Sequence, residues 1–238
     1  MSRTSLSKFL VLLGLVALIS GCGLGKRFFG KTKTDNPPDV MTKEGIEQLK
    51  KKNYIDAAET FTKVKDRYPY SEQAVLAQLK LADTLYYNRK FDEAQTAYKE
   101  FEKLHPSNKA IPYVIYQQAL CSFRQRPTID RDQTSTEKAL EEFRRLQKKF
   151  PQSEYAAKAE KFKQRCLNDL AEHEFYVGVF YFRTKHFASA MDRFQAVSQE
   201  YPDFKTSEVK QYINDCQANI DNPQKVEGFI SKLFDAKW

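Results

Sequence analysis

An all-α solenoid is the fold class this sequence predicts, about five irregular helical pairs and so about ten helices. Three observations predict it. The first is a skeleton that occurs four times: Tyr54, Ala57, Phe61, Val64 and Tyr68-Pro69; Phe91, Ala94, Tyr98, Phe101 and His105-Pro106; Ala139, Phe143, Leu146 and Phe150-Pro151; Phe187, Ala190, Phe194, Val197 and Tyr201-Pro202. Steps of three and four residues put each set on one face of a helix, and the proline stops that helix. The second is a small residue twelve positions before the repeated alanine: Gly45, Ala82 and Gly178. In the third copy that count falls on Pro127, and Ala119 takes the role. The third is composition: 238 residues, 41% hydrophobic and 29% charged, with only 8 Gly and 9 Pro, as in a largely helical chain.

The alanines Ala57, Ala94, Ala139 and Ala190 stand 37, 45 and 51 residues apart. A tetratricopeptide repeat (TPR) is about 34 residues. The chain therefore reads as a TPR array with growing insertions. A short helix, Met41–Lys52, opens it with Thr42 as N-cap, and Tyr54–Arg67 follows. Ser71 and Glu72 lead into a helix over Ala74–Asn88, and Lys90–Pro106 is the most regular copy. Ile111–Arg126 comes next. Pro127–Ser135 reads as a loop inserted within the third repeat, before a helix over Thr136–Phe150. Ser153–Lys185 lacks proline and reads as one unusually long helix. His186–Gln199, Lys205–Ile220 and Pro223–Ala236 complete the array, the last pair degenerate as a cap.

The first 21 residues stand apart. Arg3 and Lys8 precede the apolar run Phe9–Ile19, too short to span a bilayer and shaped as a secretion signal. Leu18-Ile19-Ser20-Gly21-Cys22 resembles the bacterial lipobox, in which the cysteine is acylated and the chain cut before it. Three organisational segments follow: a signal peptide over 1–21, a lipidated flexible tether over 22–40, and the solenoid over 41–238. No cofactor is expected beyond covalent N-acyl and S-diacylglycerol groups on Cys22. Gly23 rather than Asp after the cysteine implies, by likeness to lipoprotein sorting, the outer membrane. The formal charge of +8 invites nucleic acid, but an exported chain meets none; acidic partners or anionic lipid fit better. With Cys22 acylated, Cys121, Cys166 and Cys216 are an odd set without CxxC spacing. They read as buried helix residues, with at most one disulfide pair.

Nothing in the chain has the pattern of a catalytic site. There is no P-loop, GxSxG or HExxH. His105 occupies the aromatic slot before a repeat proline, and His186 a turn. His173 between Glu172 and Glu174 is a poor metal cluster, because helix neighbours point apart. No metal and no enzyme activity are expected. The A helices of a TPR array line its concave face. Counting from the alanines puts Leu79, Asp83, Tyr86 and Tyr87, then Tyr113, Tyr116, Phe123 and Arg124, then Phe175, Val179, Phe182 and Arg183 on that face. Aromatics interleaved with arginine suit an extended peptide with aromatic side chains and a carboxylate.

With the lipobox at Cys22, the irregular TPRs, the loop around Asp130-Arg131-Asp132 and the long-helix segment Ala171–Phe194, the sequence resembles the BamD-type outer-membrane assembly lipoproteins over essentially its whole length. That resemblance implies anchorage to the inner leaflet of the outer membrane, within the β-barrel assembly machine. It implies N-terminal repeats that meet unfolded outer-membrane proteins. It also implies C-terminal repeats that dock on the periplasmic domains of the central barrel subunit, with other assembly lipoproteins as further partners. Carried onto this chain, Tyr86, Tyr87, Tyr116, Phe123 and Arg124 are the substrate-side candidates. Phe182, Arg183, Phe229 and Trp238 are the docking-side candidates. The Asp130–Asp132 loop serves either contact or stiffens the insertion. Two other readings are a pilotin-like TPR lipoprotein for a pilus or secretin, which the 45 and 51 spacings disfavour, and a periplasmic wall hydrolase, for which no pocket can be named.

Overall fold

Each B helix ends in the same way, and that ending shapes the stack. In the computed structural model, which describes residues 36–222, the B helices stop at Tyr68, His105, Phe150 and Tyr201. All four cap residues have φ between −126° and −137° and ψ between 49° and 64°. The following proline bars the helical conformation there, and each cap N–H still reaches the carbonyl four residues back.

Nine helices result among the described residues: α1 Pro38–Lys50, α2 Tyr54–Arg67, α3 Glu72–Tyr87, α4 Phe91–Leu104, α5 Ile111–Arg124, α6 Thr134–Lys149, α7 Glu154–Arg183, α8 Phe187–Glu200 and α9 Thr206–Asp221. The chain divides into Met1–Pro37 and a second unit beginning at Pro38, and all nine belong to the second. Each helix packs on the one before and the one after, with α1 also on α3 and α5 also on α7. This is a TPR solenoid. The expected last helix, Pro223–Ala236, lies outside the described residues.

The repeat skeleton is the core. Ala57, Ala94, Ala139 and Ala190 are fully buried, and so are the rings of Phe61, Tyr98, Phe143 and Phe194. The small residue on the A helix is what admits those rings. A Cβ on Gly45 would lie 2.7 Å from Phe61 Cε1, and one on Gly178 would lie 2.8 Å from Phe194 Cε1. Ala119 is fully buried in the same cluster as Phe143, as its substitute role requires. Polar ties lie across the stack: Arg145 of α6 forks onto Glu102 of α4 at 2.7 and 3.0 Å, and Gln118 of α5 donates to the same carboxylate at 2.9 Å.

Several boundaries differ from expectation for local reasons. Pro38 opens α1, its fixed φ suiting the first helical position. Thr42 is therefore inside the helix and is not its cap; its hydroxyl donates to the Pro38 carbonyl at 2.6 Å. Ser71 and Ser153 do cap α3 and α7, accepting from Ala74 N at 3.1 Å and Tyr155 N at 3.2 Å. The insertion runs from Gln125 to Gln133, because Asp132 accepts from Thr134 N at 3.0 Å and starts α6 two residues early. Gln133, 5% exposed, ties the loop together by donating to the carbonyls of Thr128 and Arg131 and accepting from Thr136. Two contacts clasp the loop to α7: Arg126 pairs with Asp169, and His173 Nδ1 meets the Ile129 carbonyl at 2.6 Å. Cys121, Cys166 and Cys216 are free and buried, and burial pushes their thiols up, to about 12, 12 and 11.

The glycine contacts give a direct test. Gly178→Ala gains about 1 kcal/mol of helix propensity but drives a methyl against the fully buried Phe194 ring, which must move to admit it. A net loss of about 1–2 kcal/mol is expected in urea unfolding. Adding Phe194→Leu should recover part of that loss; a neutral or stabilising Gly178→Ala would contradict the packing.

Candidate functional site

The A helices bring one aromatic and cationic patch together. Tyr86 near the end of α3 accepts a hydrogen bond from Arg124 Nε at the end of α5, at 3.1 Å. Arg124 is exposed, and its bond to the Tyr86 oxygen strengthens its hold on its proton. Tyr87 is 52% exposed and meets Tyr86 edge-on, the ring centroids 5.7 Å apart. Tyr116, one helical face along α5, is half-buried among Phe143, Tyr155 and Phe162. Burial, then the nearby Tyr86, pushes its phenol above the ordinary range. Tyr155 on α7 completes the patch, with Lys158 Nζ 4.9 Å above its ring. The sequence does not point to Tyr155 and Lys158, because the count back from Ala190 of α8 reaches only the last turns of α7.

Beneath the patch lies a polar floor. Asp83 was expected to face outward and is instead 2% exposed. Its Oδ1 accepts from Tyr98 at 2.8 Å and Tyr113 at 2.7 Å, and its Oδ2 from Lys80 at 2.8 Å. Its burial has a simple cause. The aromatic of this repeat is Tyr98 rather than Phe, and its hydroxyl needs a buried acceptor. Gln117 extends the network by donating to the Tyr113 oxygen at 2.8 Å, while its own buried Oε1 has no partner among the described residues.

The other candidates divide. Phe123 is a correction: at 8% exposure it is interior, packed edge-on to Phe143 and Phe162 with the Arg126 guanidinium 3.6 Å over its ring. Phe175 is likewise buried, beneath Phe194, Phe204 and Tyr212. Phe182 is half-buried against Phe187 and Tyr212, and Arg183 beside it is exposed. Cys22, Phe229 and Trp238 lie outside the described residues. His105 is structural, its Nε2 2.8 Å from Gln78 Oε1. Among the described residues no cluster of His, Cys, Asp and Glu is placed to hold a metal ion. No described helix is long and apolar enough to cross a membrane.

The buried tyrosines predict a pH response. Burial, then the Asp83 carboxylate, raises the Tyr98 and Tyr113 phenols well above the ordinary range. In the unfolded chain they ionise near pH 10. Their contribution to stability is therefore complete below about pH 10 and is lost as the pH rises beyond it. Absorbance titration should show both phenols silent until the chain unfolds. Tyr113→Phe should reduce the alkaline loss of stability.

Comparison with known proteins adds the lineage. A family model described as YfiO, outer membrane lipoprotein, matches residues 34–218. The outer membrane protein assembly factor BamD of Rickettsia prowazekii is 32% identical over 207 residues, covering 84% of this chain and 78% of that protein. BamD of Caulobacter vibrioides is 29% identical over 194 residues, covering 79% of this chain; the match spans 61% of the length of that relative. BamD of Vibrio cholerae is 26% identical over 208 residues, 82% of this chain and 85% of its own length.

Proposed function

The chain belongs to the YfiO family of outer membrane lipoproteins, and from that premise we propose that it serves the assembly of outer-membrane β-barrel proteins as a lipid-anchored scaffold rather than a catalyst. Cys22 is the acylated residue, and the segment to residue 37 is the tether. The patch of Tyr86, Tyr87, Tyr116, Arg124 and Tyr155 receives an unfolded barrel precursor in extended form. Phe182 and Arg183, with Phe229 and Trp238, face the periplasmic domains of the central barrel subunit.

Beyond family membership, the observation that supports this reading is the bond of Arg124 on α5 to Tyr86 on α3, beside the contact of Tyr116 on α5 with Tyr155 on α7. The Arg124 guanidinium shares one hydrogen bond with Tyr86 and has N–H donors left over. Aromatic faces on either side offer stacking to side chains.

A photoreactive residue in place of Tyr87, in cells, should crosslink outer-membrane precursors. One in place of Arg183 should crosslink the central barrel subunit. Arg124→Glu should lower the precursor yield roughly fivefold, a loss of about 1 kcal/mol of binding, without lowering Tm, since the residue is exposed. Adducts with lipid alone, or none, would remove the groove from the proposal. Cys22→Ala should abolish incorporation of labelled palmitate into the protein.

A further inference from the structure

Four non-glycine residues have a left-handed backbone among the described residues: Lys52 (φ 63°), Arg89 (64°), Lys185 (63°) and Lys205 (38°). L side chains are disfavoured there and glycine is favoured, yet all four are cationic. Lys52, Arg89 and Lys185 occupy one equivalent place, just after an A helix. The next N–H closes back over five residues: Asn53 to Gln48 at 2.9 Å, Lys90 to Leu85 at 3.0 Å and His186 to Tyr181 at 2.9 Å. Glycine is the usual occupant of that place. A cation there gains from the helix dipole, but Lys50, Lys51 and Lys90 already supply charge without strain.

Lys205, in a turn on the opposite edge, has its charge engaged: it pairs with Glu172 at 2.8 Å and lies over the rings of Phe175 and Phe204. The side chains of Lys52 and Arg89 are exposed and bond to no other described residue. Because α1 packs on α3, their two turns are neighbours, and one cleft is lined by Lys52, Asn53, Tyr54, Ile55 and Asp56 of the first and Asn88 of the second. Ile55 is 77% exposed, more than any other aliphatic side chain among the described residues. The nearby acids Glu47 and Glu93 are already paired with Lys50 and Lys90, leaving Asp56 and Asp92 against Lys51, Lys52 and Arg89, a net positive balance. The Lys185 turn stands apart. α7 passes the third turn at Asp169 and His173 and continues to Arg183, about 15 Å further.

We propose that the A-to-B turns of the first two repeats form a surface that lies on an anionic phospholipid bilayer. Lys51, Lys52 and Arg89 meet headgroup phosphates, and Ile55 enters the boundary between headgroups and acyl chains. A bilayer supplies phosphate and hydrocarbon at adjacent depths, which a charged protein face does not. If Cys22 is acylated, fifteen residues separate the anchor from Pro38, which lets the first repeat reach the membrane. That point rests on the anchor reading; the test does not.

The test uses unacylated Gly23–Trp238, which keeps the whole compact unit, in flotation with vesicles of phosphatidylethanolamine and phosphatidylglycerol at about 7:3. Binding is expected, weakening from about 50 to about 300 mM salt and absent on phosphatidylcholine. Lys52→Glu with Arg89→Glu should lose roughly tenfold or more. Lys103→Glu with Lys109→Glu, the same charge change on the opposite edge, should lose less than about twofold. Lys52→Gly with Arg89→Gly should also lose binding, with Tm unchanged or raised. A fluorophore on Ile55→Cys should shift blue on the anionic vesicles. Equal loss in both charge-reversed pairs would reduce the effect to net charge and overturn the proposal. A lower Tm in the glycine pair would assign the cations to the fold and overturn it. No binding by the wild-type chain would also overturn it and leave an acidic protein as the occupant.

Discussion

A ring resting on a missing side chain sets the spacing of this solenoid. At Gly45 and Gly178 the A helix has no Cβ, and Phe61 and Phe194 fill the space against its backbone. Burying such a ring is worth about 1.5–3 kcal/mol, and it can be buried only if the helices approach this closely. The alanine on the B helix makes the reciprocal allowance. Once that contact is made in each repeat, the turn geometry and the stacking of one repeat on the next have little freedom left. The irregular intervals between alanines then lengthen loops and α7 without altering the contact.

The second repeat substitutes a polar arrangement for the apolar one. Ala82 replaces glycine, Tyr98 replaces phenylalanine, and Asp83 accepts the phenol. Burying a carboxylate costs several kcal/mol unless donors surround it, and three do. What the arrangement provides is direction. Tyr113 on α5 bonds the same oxygen as Tyr98 on α4, so α3 is fixed against both. The pairing of Tyr86 with Arg124 one turn away depends on that alignment. The patch is thus held by a buried carboxylate that takes no direct part in it.

Much of this was legible in the sequence because it is periodic. The skeleton located α2 at its observed bounds, α8 to within one residue and α4 to within two; Ser71 with Glu72 marked the start of α3, and the absence of proline marked the single long helix. What was not legible depends on side chains from distant segments. Asp83 reads as a solvated helix position until Tyr98 and Tyr113 are placed over it. Phe123 sits at an outward count only if the third repeat keeps the register of the others, and the insertion after Arg124 breaks that register. Gln133, a loop glutamine with no local signal, turns out to organise the insertion. Tyr155 and Lys158 lie at the start of a helix whose register is set by Ala190 on α8, more than thirty residues away.

That long helix also constrains how two functions could share one chain. α7 has 30 residues and so is about 45 Å long. Its first turns carry Tyr155 and Lys158 beside the patch; its last turn carries Phe182 and Arg183. The apolar cluster around Ala156, Ala159 and Cys166 holds the first half, and a separate cluster around Phe175 holds the second. Between them the helix is clasped at Asp169 and His173 by the insertion. Two separately packed ends on one rod, gripped in the middle, resist independent rotation. The patch beside the first turns of α7 and the Arg183 end therefore keep one relative orientation as long as the helix stays straight and the clasp holds.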